Sequence, residues 1–92
     1  MDEQTLMNNK LDRELFVKLS EDNYEPLKVI IQTEDGLKDS DKTLVKSLGG
    51  KIKDDLYIIN AFSADISAEG IKKLILSPRI LRIFNDGNVT AL

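Results

Sequence analysis

The sequence predicts an α+β domain in which a four-stranded antiparallel sheet carries two helices on one face, in the order βαββαβ, with a further short helix ahead of it. Three observations predict it. After Pro26 the hydrophobic spacing switches between strand and helix periods in that order over about sixty residues. Gly49-Gly50 ends a helical stripe of Leu44, Val45 and Leu48 and leads directly into strand-like residues. Ser67 stands as an N-cap before Ile71, Leu74 and Ile75, which share one helical face. Right-handed crossovers then dictate the strand order 4-1-3-2.

Taken in order, residues 1–10 hold only Leu6 and Met7 among polar neighbours and read as a disordered N-terminus. Residues 11–26 are a helix and a loop. Leu11, Leu15, Phe16 and Leu19 form one stripe from Leu11 to Leu19, Asp12 suits the first turn, and Glu21 to Pro26 is the loop. Residues 27–86 are the core. Its first strand is Leu27 to Thr33, and after the Glu34-Asp35-Gly36 turn Asp39 or Ser40 caps a helix from Asp41 to Leu48. A hairpin follows, with strands Lys51 to Lys53 and Leu56 to Ala64 and a turn at Asp54-Asp55. The second core helix runs from Ala68 to Leu76 and stops at Ser77-Pro78, and Arg79 to Phe84 is the last strand. Residues 87–92 form an extended C-terminal tail after the turn signal Asp86-Gly87. The plan is ferredoxin-like.

Composition narrows the function. A chain of 92 residues buries about 60–65% of the surface its unfolded form exposes, so its stability is modest and a partner can contribute to it. There is no Cys and no His, which removes thiol chemistry, the commonest general base and the commonest metal ligand; no enzyme, cofactor or metal site is expected. A net charge of −3 with interspersed signs provides no field for a phosphate backbone, so nucleic acid is not the expected partner. No run approaches the ~18–20 apolar residues of a membrane span, and the polar N-terminus does not read as a signal peptide, so either the protein starts in the cytosol or a signal was removed upstream.

Four groups of residues invite a chemical reading. Asp54-Asp55 reads as a solvated turn, Gly49-Gly50 as a helix stop without a phosphate-loop context, and Arg79 and Arg82 as solvated or paired strand residues. The fourth is the tail, whose Val89, Thr90, Ala91 and Leu92 are small and apolar enough to lie extended in a row of pockets. The strands carry a further signal. Their apolar residues fall on both faces: Leu27, Val29 and Ile31 oppose Ile30, Tyr57, Ile59 and Ala61 oppose Ile58 and Phe62, and Leu81 and Ile83 oppose Ile80 and Phe84. Either the helix at Leu11 to Leu19 covers the second face, or an apolar sheet face is left to dock on a partner.

Several segments together carry a family resemblance. They are VIIQT at Val29–Thr33, VKSLGGKI at Val45–Ile52, INAFSADIS at Ile59–Ser67, EGIKKL at Glu69–Leu74 and SPRILRIFND at Ser77–Asp86. In these the chain resembles the prodomains of subtilisin-like serine proteases, the peptidase inhibitor I9 family. The resemblance implies an intramolecular folding chaperone that, once cut from its protease, stays bound 1:1 as a product-like inhibitor. By position Leu92 would be the P1 residue with its carboxylate near the oxyanion hole, and Ala91, Thr90 and Val89 would fill the pockets before it. The family's open sheet face packs on two surface helices of the protease, which assigns docking to Ile30, Ile58, Phe62, Ile80 and Phe84 or to the mirror set.

The competing reading is an ACT-like small-molecule-binding regulatory domain that dimerises through its sheet and gives the tail no role. An RNA-binding domain of this topology would need aromatics on the middle strands, an acylphosphatase-like enzyme a Gly-rich loop with Arg where EDGLKDS stands, and a metal chaperone a Cys-x-x-Cys.

Overall fold

The computed structural model describes residues 9–20 and 26–86. Their elements are α1 (Arg13–Ser20), β1 (Leu27–Thr33), α2 (Asp39–Ser47), β2 (Lys51–Leu56), a 3-10 turn (Tyr57–Ile59), β3 (Ala61–Ile66), α3 (Ala68–Leu74) and β4 (Ile80–Asn85). The sheet is antiparallel throughout with the order β2-β3-β1-β4, which is the expected order read from the other edge. The molecule is therefore α+β with an open four-stranded sheet, consistent with a ferredoxin-like fold.

Local chemistry explains most of the boundaries. Ser67 caps α3 by accepting the Gly70 N–H at 3.1 Å. The end of α2 is a Schellman motif: Gly49 N–H donates to the Lys46 carbonyl at 3.0 Å and Gly50 N–H to the Val45 carbonyl at 2.9 Å. Gly49 takes φ +81°, where a Cβ is strained; at Gly50 a Cβ would lie 2.7 Å from Val45 Cγ1 and 3.1 Å from the Asp65 carbonyl. The paired glycines thus serve two different needs, a left-handed turn and a close approach of α2 to β3.

Two boundaries depart from expectation. The N-cap position of α2 is Lys38 instead of Asp39 or Ser40, because the Asp41 carboxylate, three residues into the helix, accepts the Lys38 N–H at 2.9 Å and fixes the start there. The β2–β3 turn lies at Tyr57–Asn60, not at Asp54-Asp55. Asn60 adopts the left-handed region at φ 53°, which Asn tolerates, and β2 continues through both aspartates to Leu56.

The helices cover one face. Leu27, Val29 and Ile31 of β1, Phe62, Ala64 and Ile66 of β3, Ile80 and Ile83 of β4, Val45 of α2 and Ile71 and Leu74 of α3 form a single buried cluster. The N-terminal segment joins that same cluster through Leu11, Leu15 and Leu19, so it extends the core and leaves the second sheet face uncovered. Asp12 anchors it: its carboxylate accepts the Leu15 N–H at 2.8 Å as the cap of α1 and the Asn85 N–H at 3.3 Å, while its own N–H donates to the Ile83 carbonyl at 3.2 Å. Of the segment expected to be disordered, residues 1–8 lie outside the described residues; residues 9 and 10 are helical, and Lys10 Nζ donates to the carbonyls of Ile75 and Ser77 at 2.8 and 3.0 Å at the end of α3.

Arg79 closes the end of the sheet. Its guanidinium donates to both oxygens of Asp41 at 2.9 Å, to Asp35 at 2.9 Å and to the Gly36 carbonyl at 3.1 Å, which also accepts the Thr33 hydroxyl at 2.7 Å. Burial pushes the Asp41 carboxyl up, but hydrogen bonds from Arg79 and the Lys38 N–H outweigh it and hold the group below its ordinary value. A carboxyl depressed in the folded state stabilises fully above its unfolded value, near 3.9, and loses that contribution as pH falls through the folded value. Arg79→Gln therefore lowers the urea midpoint at pH 7, and the gap from wild type narrows below about pH 4. Urea titrations at pH 7 and pH 3 check it; a gap unchanged at pH 3 contradicts the assignment.

Candidate docking surface

The uncovered sheet face is built by the residues that alternate with the core. On β1 these are Lys28, Ile30 and Gln32, none of them buried while their neighbours are. The register sets Ile30 between Phe84 of β4 and Ser63 of β3, and Gln32 between Arg82 and Ala61. Ile30 and Phe84 are thus direct cross-strand neighbours, the close pairing through which sheet faces gain side-chain contact. Both remain half-buried, with solvent on the side where a second layer would lie. Arg82 stands over the Phe84 ring, its guanidinium carbon 5.2 Å from the centroid, a cation–π geometry that holds a long side chain in one place.

The face is graded along the strands. At one end Lys53 pairs with Asp65 at 3.4 Å, and Lys28 lies opposite Asp65 in register; with Asp54, Ser63 and Asp86 they line a polar hollow of about 190 Å³. Asp86 N–H donates to the Lys28 carbonyl at 2.8 Å, so the chain leaves β4 at this end. In the middle the Ile30–Phe84 pair makes an apolar half beside Ser63 and Asp54. At the far end the turn projects Tyr57, Ile58 and Ile59, which are 72%, 83% and 53% exposed, and Gln32 Nε2 donates to the Ile59 carbonyl at 3.4 Å to hold the turn beside the face. With Asp55 and Leu56 the turn encloses a hollow of about 310 Å³. It is made by five consecutive residues and lined almost wholly by apolar surface. Among the described residues no cluster of acidic side chains is able to hold a metal ion, and no helix is long and apolar enough to cross a membrane.

The five residues assigned to docking therefore separate. Ile30 and Phe84 lie on the open face and Ile58 in the exposed turn at its end. Phe62 and Ile80 do not. Phe62 is opposite Ile31 and wholly buried, and Ile80 is opposite Thr33 and 1% exposed, both within the core. The cause is broken alternation. Residues 57–59 are a 3-10 turn, so a count of two carried from Leu56 through Ala64 assigns the wrong face to Phe62. On β4 the register shifts opposite Gln32 and Thr33, which leaves Leu81 unpaired and turns Ile80 and Ile83 inward together. The mirror set fares no better as a whole, since Val29, Ile31 and Ile83 are fully buried.

Val89, Thr90, Ala91 and Leu92 lie outside the described residues. Of the two arginines, Arg79 belongs to the clamp with the buried Asp41, and Arg82 sits on the open face at its β4 edge, opposite Gln32. Tyr57 and Ile59, which alternation placed in the mirror set, share the exposed turn with Ile58, and Gln32, which no set included, joins the surface beside Arg82; the Asn60 turn was the available signal. No family model, curated protein or solved structure matches the chain.

The assignment of faces has a direct test in the two phenylalanines. Phe62→Ala opens the core and should cost about 3–5 kcal/mol, whereas Phe84→Ala, at the solvent side, should cost no more than about 1.5 kcal/mol. Equal losses in urea unfolding of the free chain would show that the open face is covered.

Proposed function

We propose that this chain is the prodomain of a subtilisin-like serine protease, acting as a chaperone for folding of its protease and as its product-like inhibitor. The observation that carries the reading is the uncovered sheet face with the Ile30–Phe84 pair, found in a chain whose segments resemble that family. The face docks on the protease, and Val89 to Leu92 lie extended in its active-site cleft, with Leu92 in the primary pocket. Six residues after Asp86 reach at most about 20 Å, so the cleft must lie close to the polar end of the face where β4 ends.

Physical chemistry favours such a division. A short extended peptide loses much of its contact free energy to ordering, and its binding is weak alone. A sheet face that docks beside the cleft makes the tail an intramolecular ligand at high effective concentration. The mixture of Ile30, Phe84 and Ile58 with Gln32, Arg82 and Lys53 suits a complex whose members also exist apart, since separable interfaces are only about 56–58% apolar.

The test is inhibition of subtilisin-type proteases by the full chain, by a chain lacking Val89 to Leu92, and by Ile30→Lys. Each change should weaken inhibition by at least about tenfold, the first by removing the tail and the second by placing a charge in the docked face. A full chain that inhibits none of them and runs as a homodimer would replace this reading by the ACT-like one.

A further inference from the structure

We infer that the surface docking on the open face presents an Asp or Glu carboxylate to Arg82, and that this ion pair fixes how the two sheets of contacts align. The inference rests on the reading of the partner as a subtilisin-like protease and adds the chemistry of its docking patch.

Arg82 is exposed on the open face, stacked on Phe84 and opposite Gln32, which is neutral. Among the described residues no carboxylate pairs with it. The contrast with Arg79 is informative, because two acidic side chains and a carbonyl surround that guanidinium. At the polar end of the same face the charges are mixed, with Lys53 held by Asp65. The open face therefore carries, on its β4 edge, a positive group beside the Phe84 ring and the neutral Gln32.

A surface that docks over Phe84 also meets Arg82, whose guanidinium lies over that ring, and takes water from it. Leaving a guanidinium desolvated without an acceptor costs more than the adjoining apolar contact returns, so a surface that binds here has to supply the missing acceptor. A carboxylate meets the planar fork with two parallel hydrogen bonds, and stacking on Phe84 has already restricted the side chain, so less freedom is lost when the pair forms. A partner without that carboxylate is rejected by the same unpaired charge.

The experiment uses the intact chain against a panel of subtilisin-type proteases, taking the one it inhibits most strongly, with Arg82→Met, Arg82→Lys and Arg82→Glu compared from low to high salt. Arg82→Met should weaken inhibition by about thirtyfold or more, Arg82→Glu further still, and Arg82→Lys less than Met. The salt dependence of association should be shallower for Arg82→Met than for wild type. Melting of each free variant by circular dichroism should match wild type, because the side chain is exposed; should one variant unfold, the salt response of Arg82→Lys decides. Wild-type inhibition that Met and Glu leave unchanged overturns the inference and spares the prodomain reading. Failure of the wild-type chain to inhibit any member of the panel removes both.

Discussion

The clamp between Arg79 and Asp41 is the contact on which the arrangement of this small domain depends. It joins the residue that leads into β4 to the first turn of α2, across 38 residues of sequence, and the same guanidinium holds the Gly36 carbonyl at the end of β1. Three connections thereby meet at one group. Asp41 is almost wholly buried, so the free energy of the pair rests on completed hydrogen bonding more than on charge alone: the carboxylate accepts from Arg79 twice and from the Lys38 N–H once. With this end fixed, β4 is set against β1, and the side chains that alternate along both strands acquire their faces.

That placement decides what the molecule can offer. Three helices lie on one side of a four-stranded sheet, and the N-terminal helix adds to the covered side by Leu15 and Leu19. The other side is left with a narrow apolar centre, a polar end and an apolar turn. Such a surface is too mixed for a permanent core and too apolar at its centre for simple solvation. The proposed docking would cover it with a separable partner, and the chain that continues from Asp86 begins at the rim of the same face.

Much of this was legible in the sequence. LKVIIQT gave the limits of β1 because Pro26 and the Glu34-Asp35-Gly36 turn bound it, and the strand order followed from the handedness of crossovers. Ser67 and Gly49 were readable because caps are local. The docking set was only partly readable. Ile30 and Phe84 emerge from alternation on unbroken stretches, whereas Phe62 and Ile80 were misplaced by a turn and a bulge, each of which shifts the count by a residue. The Arg79 clamp was beyond reach for a different reason: nothing near Arg79 in sequence announces a partner in α2.

The two arginines show how position within a fold, and not residue type, sets a role. Arg79 lies three residues before Arg82 in the same segment, yet one is surrounded by acceptors and the other by an aromatic ring and a neutral amide. Acceptors within the chain, the buried Asp41 foremost, make the first a structural member, since its hydrogen-bonding capacity is used there. The second has no carboxylate partner among the described residues. In the proposed docking that capacity would select among partners, because a surface that covers Phe84 would also have to answer Arg82.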